Sequence, residues 1–129
     1  MSSAASPVPE RVSAWRLLAR LAFWLACAVA FVFAVMPVPP DLGESDKLQH
    51  IFAFLVLAGL GRLAYPDVRK RWLLVGLMGF GALIEIVQAL PFVGRDSDPL
   101  DWVADTAAAL TVFVVVALWT YFRGKRAGA

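Results

Sequence analysis

Four apolar runs, each about 18–22 residues long, dominate this chain and leave few ways to fold it. They cover about residues 15–36, 48–65, 72–90 and 101–122. At about 1.5 Å per residue, each can cross a hydrocarbon layer of about 30 Å. In lipid, a helix satisfies its own backbone polar groups, whereas a strand does so only within a closed barrel. The alternation of barrel strands is missing. The predicted fold class is therefore an all-α membrane protein, a four-transmembrane-helix bundle.

Composition agrees. The chain is 60% hydrophobic and 17% charged, too little polar surface for a body standing in water. At 129 residues it has room for one domain. The predicted domain is 14–122, between a polar leader at 1–13, expected to be disordered, and a basic cytoplasmic tail at 123–129. Punctuation marks the helix ends: Pro37, Pro39 and Pro40 after the first run, Pro66 after the second and Pro91 after the third. Ser45 and Asp46 are placed to cap the second helix, and Asp98-Pro99 to open the fourth. Trp15, Tyr65, Trp72, Trp102, Trp119 and Tyr121 lie near run ends, as in an interfacial belt. A cleaved signal peptide would need a shorter first run, because apolar residues continue past the Ala28-Val29-Ala30 site. Cys27, the single cysteine, excludes an internal disulfide, and Trp24 spoils a lipoprotein reading of Leu25-Ala26-Cys27.

The pI of about 9.0 does not signal nucleic acid, because the basic residues flank apolar runs instead of forming one patch. Arg11, Arg16 and Arg20, then Arg62, Arg69, Lys70 and Arg71, then Arg123, Lys125 and Arg126 fall on one side of the alternating topology. Only Lys47 and Arg95 fall on the other. The positive-inside rule thus predicts cytoplasmic N- and C-termini in a multi-pass protein of the inner (plasma) membrane. Acidic residues run the other way. Asp41, Glu44, Asp46, Glu85, Asp96, Asp98, Asp101 and Asp105 lie outside, while Glu10 and Asp67 lie inside.

Part of this acidic excess sits inside apolar runs, where an ionisable group is costly and needs a partner or a wet cavity. Asp46 and His50 are four residues apart, so they can meet on one helical face, with Lys47 beside them. Glu85 lies about 7–8 Å below the expected rim of the third helix. Arg95, in the loop Gly94-Arg95-Asp96-Ser97-Asp98, offers a planar fork for carboxylate or phosphate. Asp101 and Asp105 share a face of the fourth helix and would repel unless a cation, Arg95, Lys47 or a shared proton intervened. Asp98 also suits a plain helix cap, His50 a packing hydrogen bond, and Asp41, Glu44 and Asp96 solvated loops. Gly76, Gly79, Gly81, Ala104, Ala107, Ala108 and Ala109 allow close helix approach. No phosphate loop, cysteine metal motif or nucleophile elbow is present, and no cofactor is expected. One histidine with several carboxylates is chemically able to hold a metal, but no metal is expected.

The pieces Asp46-Lys47-x-x-His50, Glu85-x-x-Gln88, Arg95, and Asp101 with a polar residue at 105 resemble the VanZ-like family of small bacterial membrane proteins. The resemblance spans about residues 37–115. It departs from the family where members commonly carry Asn (here Asp105) and Gly (here Ala108). It implies a link to teicoplanin-type glycopeptide resistance and points to Lys47, His50, Glu85, Gln88, Arg95, Asp101 and Asp105. The expected function is an outward-facing polar cluster that binds or modifies an anionic envelope lipid or a lipid-linked cell-wall precursor. His50, Glu85 and Asp105 are the candidate catalytic residues, and Lys47, Gln88, Arg95 and Asp101 the candidate binding residues. Arg95 and Lys47 would hold the anion, with Asp101 and Asp105 orienting Arg95 or holding an ion. The alternatives are a structural interhelical network that docks another membrane protein, and an ion- or proton-coupled carrier.

Overall fold

The computed structural model describes residues 13–38, 43 and 45–127. The expected leader, with Glu10 and Arg11, lies almost wholly outside them, as do Pro39, Pro40, Asp41 and Glu44. Four helices follow one another: α1 (Ala14–Val35), α2 (Asp46–Ala64), α3 (Lys70–Gln88) and α4 (Pro99–Ala127). All four are long and apolar enough to cross a membrane, and the described residues contain no strand. The chain is a four-helix membrane bundle.

Local chemistry sets the boundaries. Ser45 caps α2, its hydroxyl accepting from the Leu48 amide at 3.3 Å. α2 closes before Pro66, and the Arg62 guanidinium donates to the Tyr65 and Pro66 carbonyls, completing groups left open at a helix end. Asp98 caps α4: its Oδ1 accepts from the Leu100 amide at 2.9 Å, with Pro99 in the first helical position. α4 differs most from expectation. It continues to Ala127, so Arg123, Lys125 and Arg126 ride on its last turns instead of forming a separate tail. Arg123, Lys125, Arg126 and Ala127 are good helix formers that outweigh Gly124, and basic side chains suit a helix C-terminus. At 29 residues α4 is about 43 Å long, more than a hydrocarbon layer requires.

α2 packs against each of the other helices, whereas α1 and α4 do not pack on each other. Buried positions recur at helical spacing: Phe23, Cys27 and Ala34 on α1, and Phe54, Leu57, Ala58, Gly61 and Ala64 on α2. Leu77, Gly81 and Ile84 on α3 face Ala108, Ala109 and Phe113 on α4 within the same core. Arg16 reaches Asp67 at 2.9 Å and Arg20 reaches the Ala64 carbonyl, so the start of α1 meets the α2–α3 connection. That end is basic. The opposite end gathers the start of α2, the end of α3, the 89–98 loop and the start of α4, and carries most of the carboxylates.

Candidate functional site

The core-facing stripe of three helices changes from apolar to polar at the acidic end. On α2 the series Leu57, Phe54 continues to His50; on α3, Gly81 and Ile84 lead to Glu85 and Gln88; on α4, Ala109 and Ala108 lead back to Asp105 and Asp101. These polar residues therefore point where the core points, and His50, Glu85, Gln88, Asp101 and Asp105 are all buried.

Two layers can be distinguished. In the deeper one, His50 Nδ1 lies 3.4 Å from Asp105 Oδ2, joining α2 to α4. Asp105, six residues into α4 and so about 9 Å along it, is only 1% exposed, and His50 is 7% exposed. Glu85 Oε2 accepts from the Ser97 hydroxyl at 2.9 Å and lies within electrostatic range of His50 and Asp101. Glu85 Oε1 and Asp105 Oδ1 are buried without a hydrogen-bond partner among the described residues. Such oxygens are rare in a settled core and mark a place for water, a proton or a ligand. The imidazole is engaged through Nδ1 by Asp105, and no hydrogen bond joins its Nε2 to a described residue.

The rim layer consists of ion pairs. Lys47 Nζ lies 2.8 Å from Asp101 Oδ1 and 3.5 Å from Asp98 Oδ2. One Arg95 nitrogen donates to both Asp46 oxygens, at 2.8 and 2.7 Å. Gly94, at φ 66°, turns the loop that carries Arg95 back over α2. Gln88 stands apart from the other candidates. Its Nε2 donates at 2.8 Å to the Ala34 carbonyl in the last turn of α1, so its amide ties two helices together.

Several expectations change here. Asp46 and His50 do not pair, since Asp46 goes to Arg95 and His50 to Asp105. Asp101 and Asp105 turn to two different partners, the Lys47 ammonium for Asp101 and the His50 imidazole for Asp105. Arg95, expected to be oriented by Asp101 and Asp105, is held by Asp46. The reason is geometric: Arg95 lies on a loop that reaches the rim, whereas Asp105 is more than a turn deeper. The sequence marks Ser97 only as part of the 94–98 loop and Trp102 only as an interfacial aromatic, whereas Ser97 donates to Glu85 and the Trp102 indole donates to the Met78 carbonyl at 2.9 Å. Ser97 offered only its place between two aspartates. Among the described residues, no three His, Cys, Asp or Glu side chains converge closely enough to hold a metal ion.

No family model, curated protein or solved structure matches this chain.

Proposed function

We propose that this chain is a VanZ-like protein of the plasma membrane, with both termini cytoplasmic and the acidic end of the bundle facing outward. There it binds or modifies the head of an envelope lipid or of a lipid-linked cell-wall precursor, and so contributes to glycopeptide resistance. The observation that carries this reading is the buried His50–Asp105 pair, 3.4 Å apart, with Glu85 nearby holding one unpartnered oxygen. A carboxylate on one ring nitrogen sets the imidazole's tautomer and leaves the other nitrogen to take or give a proton. In this role His50 is the base or acid, Asp105 its positioning residue, and Glu85 the second proton-handling group.

The test is to express His50→Ala and Glu85→Gln in a glycopeptide-challenged host, with membrane abundance measured alongside survival. Loss of resistance is expected for both: at normal abundance for Glu85→Gln, and beyond what its lowered abundance accounts for in His50→Ala. Full resistance with both variants would refute the catalytic reading.

The pairing pattern also supports a second reading, a structural network on which another membrane protein docks. Every described basic side chain at the acidic end is engaged by an aspartate. In that case Glu85→Gln also loses abundance or thermal stability in detergent, in step with function.

A further inference from the structure

The two ends of the bundle treat their cations differently. At the acidic end, Lys47 and Arg95 are held by aspartates. At the basic end Asp67 is the single described carboxylate, and Arg16 takes it at 2.9 Å. Arg20 and Arg62 turn to backbone carbonyls instead. Six cations are left over: Arg69, Lys70 and Arg71 at the start of α3, and Arg123, Lys125 and Arg126 on the last turns of α4. None of these side chains forms a hydrogen bond or an ion pair with a described residue. Five are exposed and Lys70 is partly so.

Nor is either cluster neutralised along its own helix. The first turn of α3 has no acidic residue, and Asp105 is the last one on α4, five turns before Arg123. Like charges gathered at one end repel, and an anion from outside the chain relieves them.

The height of the cations in the membrane identifies that anion. Counted from Pro99, Arg123 lies about 36 Å and Arg126 about 40 Å along α4. The hydrocarbon layer takes up about 30 Å of this, and head groups add about 5–8 Å on each side. The tip of α4 therefore stands among head groups. Arg69, Lys70 and Arg71 reach the same layer from α3, whose apolar run begins directly after them at Trp72. Indole rings mark the level on both helices, with Arg71 over Trp72 at 5.6 Å and Arg123 over Trp119 at 5.8 Å. An acidic protein or a nucleic acid would have to enter this layer from water. A phospholipid head is already in it.

We propose that the basic end of the bundle binds the heads of anionic phospholipids, at the start of α3 and on the last turns of α4. Clustered cations beside a membrane helix attract such lipids over about a Debye length, so salt weakens the attraction. The inference goes beyond the chemistry of the acidic end and does not depend on it.

The full chain is placed in nanodiscs of phosphatidylcholine that contain a minor fraction of a photoactivatable lipid, either phosphatidylglycerol or phosphatidylcholine, with the reactive group near the glycerol backbone. Cross-linked residues are then mapped. Phosphatidylglycerol is expected to label residues 66–73 and 119–127 about tenfold more than the phosphatidylcholine probe does, and residues 95–101 at the acidic end no more than that probe. Raising the salt from about 0.1 to about 1 M, where the Debye length falls from about 10 to about 3 Å, should remove most of the preference. Replacing all six cations by glutamine should bring the ratio to about one. The charge-preserving set Arg69→Lys, Arg71→Lys, Arg123→Lys and Arg126→Lys should keep it, which separates loss of charge from loss of fold. Equal labelling of the basic end by both probes, a preference that resists salt, one that survives in the glutamine variant, or one lost in the lysine variant overturns the proposal.

Discussion

Gly81→Ala tests the packing that sets the acidic end of the bundle. A Cβ at Gly81 would lie 3.2 Å from Trp102 Cδ1 and 3.3 and 3.5 Å from Phe54 Cζ and Cε1. Carbon atoms prefer about 3.5–4.0 Å, so both rings must retreat by a few tenths of an ångström. Neither is free to do so. Phe54 is buried against Phe80, and the Trp102 indole is tied to the Met78 carbonyl. Overpacking of this kind costs about 1–3 kcal/mol, offset by up to about 1 kcal/mol from alanine's better helix propensity. The net cost is therefore up to about 2 kcal/mol. Gly79, two residues earlier on the same helix, is the control: a Cβ there meets nothing within 4 Å, so Gly79→Ala keeps only the propensity gain. The two variants should differ by about 1–3 kcal/mol in reversible unfolding from mixed micelles, with Gly81→Ala the weaker. Trp102 lies between Asp101 and Asp105 in the chain, so function should fall with stability. Equal stability of the two variants would show that α3 does not approach α2 and α4 as described.

Removing His50 leaves Asp105 buried without its partner, and breaking a buried pair costs about 3–5 kcal/mol. His50→Leu should therefore be strongly destabilising, and Asp105→Leu in the same chain should restore much of the loss; a double-mutant cycle with no coupling would refute the pair. Arg95→Ala should cost about 1–3 kcal/mol, because Asp46 is half-exposed but the Arg95 side chain is only 11% exposed, so charged hydrogen bonds and packing are lost together. No loss in the same unfolding assay would refute the Arg95–Asp46 contact. For orientation, Val68→Cys in a Cys27→Ala background should resist an impermeant thiol reagent in intact cells and react after permeabilisation. Labelling from outside would invert the proposed topology.

Much of the architecture can be read from the chain itself. Runs of this length and apolarity have one inexpensive solution in lipid, so helix number, type and approximate ends follow from local properties. Ser45, Asp98 and Pro99 act within a few residues of themselves, which is why those caps were legible. The apolar run ends before α4 does, because hydropathy falls at Arg123 while a single glycine, Gly124, is not enough to stop the helix.

The candidate site divides in the same way. That Glu85 and Asp105 needed company followed from the cost of charge within an apolar run, and that much is a property of sequence. Which company they keep is not. His50 meets Asp105 across 55 positions, Lys47 meets Asp98 across 51 and Arg95 meets Asp46 across 49. Helical spacing offered His50 a neighbour at Asp46, but rotation of α2 against α4 turned the histidine inward and left the aspartate at the rim. Sequence determined that polar groups would be placed among apolar ones; packing, through helix rotation, decided which groups face each other.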